Sequence, residues 1–134
     1  ISLNATDDIT RGDIMPINKK YPIEVLMECL RNYPLKPSRR LTFEYVMLGG
    51  INDRDDDAKR LAKLLHGIPS KVNLIPFNKF APSEFKPPTE ERVHSFQQYL
   101  LAKNYTVFIR RNRATDILGA CGQLAAQPLS PTPA

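Results

Sequence analysis

Residues 40–78, RLTFEYVMLGGINDRDDDAKRLAKLLHGIPSKVNLIPFN, decide the fold. The first nine are rich in β-branched and aromatic side chains, which favours a strand. Strict alternation puts Leu41, Phe43, Tyr45 and Met47 on one face and Thr42, Glu44, Val46 and Leu48 on the other. GGIND breaks the strand as a turn, and Asp53 is placed to cap the helix that follows. In that helix three acids precede the bases, which suits the helix dipole. Ala58, Leu61, Leu64 and Leu65 make its buried side, and Gly67 ends it. KVNLIPFN is a second strand, closed by Pro76, which has no N–H to give a ladder. Strand, helix and strand at this spacing make a βαβ unit with parallel strands.

The same alternation extends both ways. Upstream, ISLNA reads as the end of a strand and DDITRGDIM as a short helix stopped by Pro16. YPIEVLMECLRNY is a helix with Pro22 in its first turn. Ile23, Leu26, Met27 and Leu30 form its apolar stripe, with Cys29 on the flank as a structural thiol. Downstream, TEERVHSFQQYLLAK is a helix with Val93, Phe96, Leu100 and Leu101 inward, and YTVFIRR is the last strand. ATDILGACGQLAA reads as a short helix or helical turn, and QPLSPTPA as a Pro-rich tail. The fold class expected is therefore α/β, with a parallel sheet curling toward a barrel. Right-handed crossovers put the helices on one face. In such barrels chemistry sits where strands end and loops begin. Ser2, Leu3 and Asn4, Glu44 with its neighbours, Asn78, and Arg110 with Arg111 fall there, and Cys121 follows the last strand. Glu44, a carboxylate in an apolar strand, needs water in a polar interior or an ion-pair partner.

The 134 residues make one domain or part of one. A net charge of +5 is a mild cue for a polyanionic partner. Cys29 and Cys121 are too few for a disulfide framework or a four-thiolate metal site. His66 and His94 each stand alone on a helix, as surface residues. No apolar run approaches the roughly 18 residues of a membrane span, and no secretory leader is visible. A soluble, cytoplasmic protein without membrane association is expected. The chain opens on an apolar strand entered halfway, without an initiator methionine, so it is expected to be the C-terminal part of a longer protein.

Four blocks in order, IMPINKKYPIE, TFEYVMLGGIND, KVNLIPFN and ACGQL, resemble the radical-SAM adenine-C2 RNA methyltransferases, the RlmN/Cfr family. The resemblance runs from Ile1 to about Ala126, which assigns residues 1–126 to the C-terminal part of a partial (βα) radical-SAM, TIM-like barrel and 127–134 to a disordered tail. It implies a [4Fe-4S] cluster that reduces S-adenosylmethionine to a radical, fed by an external electron donor. It also implies a cysteine that is first methylated and then passes the carbon to C2 of an adenine in rRNA and tRNA. By resemblance, Cys121 in ACGQL is that catalytic S-methylcysteine. Ser2, Leu3, Asn4 and Asn78 then contact S-adenosylmethionine. Asn4 stands where the family usually has His, so a proton role there is not expected. Arg110, Arg111 and Arg113 match a basic stretch, and RNA contact by them is a hypothesis of this reading.

The chain lacks the C-x-x-x-C-x-x-C cluster loop, the Gly-Glu cofactor motif and the resolving cysteine, so it holds no metal by itself and is expected to be an inactive fragment of a monomeric enzyme. Two other readings stand beside this one. Another radical-SAM enzyme would use the terminal cysteine differently, and a basic RNA-binding module would have no chemistry at all.

Overall fold

The computed structural model describes residues 1–78 and 83–111. The chain forms α1 (Asp8–Ile14), a 3-10 turn (Pro16–Lys19), α2 (Ile23–Arg31), β1 (Leu41–Met47), α3 (Asp55–Leu65), β2 (Ser70–Pro76), α4 (Glu90–Ala102) and β3 (Thr106–Ile109). The strands pair in parallel in the order β1-β2-β3. Residues 1–3 run alongside the free edge of β1. Leu3 N–H donates to Glu44 O at 3.0 Å and Glu44 N–H to Ile1 O at 2.7 Å, with a parallel bridge between Ser2 and Glu44. The expected alternation of strands and helices is thus present across the described residues.

One face of the sheet carries the main core. Leu3, Phe43, Tyr45, Val72, Leu74 and Val107 pack against Met27 of α2, Leu61 and Leu65 of α3, and Phe96 and Leu100 of α4. Burying side chains of this size stabilises by about 1.5–3 kcal/mol each before entropy is subtracted. The expected stripe on α2 holds: Ile23 and Met27 are buried, and Leu26 and Leu30 pack at the margin. The opposite face is divided. At the C-terminal strand ends Val46, Leu48, Ile75 and Phe77 are covered by Ile14, Met15 and Phe85. Toward the N-terminal ends, Thr42, Glu44, Lys71, Asn73 and Thr106 are only half-buried, and Phe108 is exposed.

Three local expectations are corrected. The cap of α3 is Arg54, one residue later than expected; the Asp53 carboxylate instead accepts from Gly50 N–H at 3.0 Å, closing the GGIND turn. Leu101 is exposed, because Leu100 already occupies the core-facing position and the next residue turns by 100° around the helix. Cys29 is exposed, not packed as a structural thiol. His66 and His94 are exposed, as expected. Gly67 has φ of 82°, the left-handed conformation that ends α3.

Candidate functional site

The C-terminal ends of the parallel strands form one rim. It consists of residues 2–5, the GGIND turn, Phe77–Asn78 and Arg110–Arg111.

The strand at residues 1–3 stops because Asn4 takes φ of 61°, a left-handed conformation in which Asn is enriched. Ala5 N–H then donates back to Leu3 O at 2.8 Å. This turn would strip β1 of its edge partner. Two asparagines replace the missing backbone. Asn4 Oδ1 accepts from Val46 N–H at 2.9 Å, and its Nδ2 donates to Met15 Sδ at 3.3 Å. Asn52 Nδ2 donates to Val46 O at 2.7 Å and to Asn4 O at 2.8 Å, while its Oδ1 accepts from Leu48 N–H at 2.7 Å. Tyr45 Oη donates to Asn52 O at 2.7 Å. Burial of this phenol, with the nearby charge of Asp57 adding to it, pushes its pKa well up. An amide both donates and accepts, which explains why asparagine serves at both positions.

Arg11 fixes the same strand end from the other side. It is 4% exposed. Its Nε donates to Leu3 O at 2.9 Å, Nη2 to Ser2 O at 3.2 Å and Nη1 to Asn18 Oδ1 at 2.9 Å. Its partners are neutral oxygens. Desolvation lowers its pKa, and the field of Asp8 partly offsets this. Asn18 in turn donates to Asp8 O at 3.3 Å. A third hub is Asp57, buried in α3. It binds Arg54 Nε at 2.9 Å and Arg60 Nη2 at 2.7 Å and accepts from Thr6 Oγ1 at 3.2 Å, which ties the segment after Asn4 to α3.

The residues expected at the site divide by accessibility. Leu3 and Asn4 are completely buried, and their side chains serve the fold. Ser2 is half-buried at the bridge to Glu44. Asn78 is exposed and lines a cavity of about 290 Å³ with Phe77, Pro87, Glu90 and Arg111. Arg111 Nη2 binds Glu90 Oε1 at 2.7 Å at the edge of this cavity. Arg110 Nη1 lies 3.7 Å from Glu44 Oε2 and supplies that carboxylate with its ion-pair partner. The structure therefore brings Asn78 and Arg111 together in one cavity, with Arg110 just after β3 and Ser2 on the far side of β1. Cys121, Arg113, the ACGQL block and the tail lie outside the described residues. Arg11, Asn18, Asn52 and Asp57 are rim-building residues that the sequence pattern does not single out.

The GGIND turn closes against the loop before α4. Gly49 N–H donates to Lys86 O at 2.8 Å, and a Cβ on Gly49 would meet Pro87 O at 2.5 Å, so only glycine fits there. Arg92 of α4 donates twice to Asp53 O, at 3.0 and 2.6 Å, and holds the same turn from behind. Among the described residues no group of three His, Cys, Asp or Glu side chains converges on a metal position. With two cysteines in the chain, one of them exposed on α2, an iron–sulfur cluster does not fit this segment. No helix among the described residues is long and apolar enough to cross a membrane.

No family model matches the chain. It is 54% identical over 95% of its length to the dual-specificity RNA methyltransferase RlmN of Anaeromyxobacter dehalogenans, covering 34% of that protein. It is 53% identical over 92% of its length to RlmN of Geobacter sulfurreducens, again covering 34%. The crystal structure of a radical SAM methyltransferase from Sphaerobacter thermophilus superposes with a TM-score of 0.80 at 43% identity, over 94% of this chain and 37% of that one. A domain of a pyruvate-formate lyase-activating enzyme from Bacteroides vulgatus superposes with a TM-score of 0.65 at 18% identity, over 82% of this chain and 65% of that one, a likeness of fold alone. The chain spans about a third of the length of the curated relatives it matches. Over that stretch it is similar to the RlmN RNA methyltransferases and to a radical SAM methyltransferase of known structure.

Proposed function

We propose that the chain is the part of a dual-specificity RNA methyltransferase that presents one wall of the S-adenosylmethionine site and the cysteine that carries the transferred carbon. The observation that carries this reading is the 54% identity to an RlmN over nearly the whole chain. The site geometry agrees with it. Asn78 offers an exposed amide, able to donate and accept, beside a cavity at the strand ends. Ser2 and the backbone of residues 2–4 form the strand end on the far side of β1. Leu3 and Asn4 act by shaping that end, since their side chains are buried. When bound, S-adenosylmethionine supplies an activated methyl group. Cys121 would accept it as a thioether, losing its thiol proton and releasing S-adenosylhomocysteine, and so hold the carbon destined for C2 of adenine in rRNA and tRNA. Arg110, Arg111 and Arg113 bring positive charge to this side of the rim for RNA phosphate. The [4Fe-4S] cluster is held outside this segment, and no step here is routed through it. A cytoplasmic, monomeric enzyme supplied by an external electron donor completes the proposal.

The test places this chain in a polypeptide of its relatives' length and measures adenine C2 methylation in rRNA and tRNA. Asn78→Ala is expected to raise KM for S-adenosylmethionine about tenfold, the equivalent of one lost hydrogen bond, with KM for RNA unchanged. Absence of any adenine methylation by the unmodified protein, with cluster and reductant present, overturns the reading.

A further inference from the structure

The N-terminal ends of the strands, opposite the rim, carry a separate basic cleft. Arg39, Arg40, Lys71, Thr42, Thr106 and Phe108 line a space of about 600 Å³. The register explains why they meet. Thr42, Lys71 and Thr106 lie side by side on three adjacent strands, and Phe108 follows Thr106 on the same face. Arg40 Nη1 donates to Thr106 Oγ1 at 2.9 Å, which fixes that guanidinium at the cleft edge. Neither Arg39, Arg40 nor Lys71 forms an ion pair among the described residues. Glu44, on the same face and in the same row as Phe108, has Arg110 as its ion-pair partner.

The charge is segregated by sequence. No Asp or Glu occurs between Glu28 and Glu44, a stretch that holds Arg31, Lys36, Arg39 and Arg40. None occurs in 66–69 or 103–105, the two other loops that enter strands at this end. The helix dipole accounts for Lys63 and Lys103 near helix C-termini. It does not account for Arg39, Arg40 or Lys71, which stand on a loop and a strand. Phe108 adds a second feature to the cleft, a phenyl ring 53% exposed beside the three cations.

We propose that this cleft binds single-stranded RNA, with Arg39, Arg40 and Lys71 on backbone phosphates and a base stacked on Phe108. Cations tracking a backbone beside an aromatic platform are the combination that holds unpaired nucleic acid. The choice of RNA among polyanions rests on the proposed function; the cleft itself is independent of the rim chemistry. It supplies a second RNA contact, away from the reacting adenine.

The test titrates a polypeptide of the relatives' length that contains this chain into a short fluorescent single-stranded RNA across a salt series. The unmodified polypeptide is expected to bind with affinity that falls steeply with salt. Arg39→Ala/Arg40→Ala/Lys71→Ala is expected to flatten the logarithmic slope by about 2, at about 0.7 per phosphate contact, and to weaken binding at least about tenfold. Arg39→Lys/Arg40→Lys/Lys71→Arg keeps the slope. Phe108→Ala weakens binding about fivefold or more with the slope unchanged, and Phe108→Tyr restores it. Lys19→Ala/Lys20→Ala/Lys59→Ala removes equal charge elsewhere and leaves affinity within about twofold. No binding by the unmodified polypeptide, or equal losses from the cleft triple and the control triple, overturns the proposal. The Asn78 methylation assay reads the rim alone, so the two readings fail separately.

Discussion

Asn52 shows how much one side chain decides here. It completes the edge of β1 where the neighbouring strand turns away at Asn4, with bonds to Val46 O, Asn4 O and Leu48 N–H. Asn52→Ala leaves those buried groups without partners, each costing about 1–3 kcal/mol. A loss of about 3 kcal/mol or more in urea unfolding is expected, and a loss under about 1 would contradict the ladder role. Tyr45 gives a pH-dependent companion. Its buried phenol has a raised pKa, so its stabilising effect is complete below the ordinary tyrosine value of about 10. Above that pH the unfolded chain releases a proton that the folded chain retains, and stability falls. Tyr45→Phe is expected to be about 1 kcal/mol less stable at pH 7 and to close that gap as pH rises past about 10. In the sequence, Asn52 is visible only as part of a turn. Its contacts reach residues 48 positions away, and no local pattern encodes them.

At the scale of elements, the sequence reading succeeds where periodicity sets burial. The β1 face of Phe43, Tyr45 and Met47 and the α2 stripe of Ile23 and Met27 lie where alternation and helical spacing put them. It fails where two adjacent leucines compete for one helix face. Leu100 is buried and Leu101 is 40% exposed. Leu100→Ala is therefore expected to cost about 2–5 kcal/mol, and Leu101→Ala no more than about 0.5. Equal losses by chemical denaturation would contradict the packing of α4. The cap of α3 moves from Asp53 to Arg54 for a similar reason. The Asp53 carboxylate is held by Gly50 within its own turn, and Asp57 closes the capping box with Arg54 N–H at 3.1 Å. The Gly49 contact sets the close approach of this turn to the loop before α4. Gly49→Ala is expected to cost about 1–3 kcal/mol and to speed amide exchange at Gly49, whose N–H meets Lys86 O.

At the scale of the whole molecule, a parallel sheet sends all its strand ends to one rim. Asn78 and Arg111, distant in sequence, meet there at one cavity. That much of the site is legible in the sequence, because strand order and direction follow from alternation of elements. The supports are not legible. Arg11 lies within a short helix and bonds the carbonyls of Ser2 and Leu3, contacts fixed by the fold and not by spacing. Arg11→Met is expected to free those carbonyls and to raise amide exchange at Leu3 and Glu44 while α3 and α4 stay protected. Uniform protection in the variant would contradict the clamp.

Cys121 is proposed to carry the transferred carbon. The direct measurement follows an isotope-labelled methyl group from S-adenosylmethionine, in a polypeptide of the relatives' length, by mass spectrometry of both the Cys121 peptide and the RNA. The account predicts label on Cys121 before adenine, and none in RNA from Cys121→Ala. Label reaching adenine without ever residing on Cys121 would contradict it.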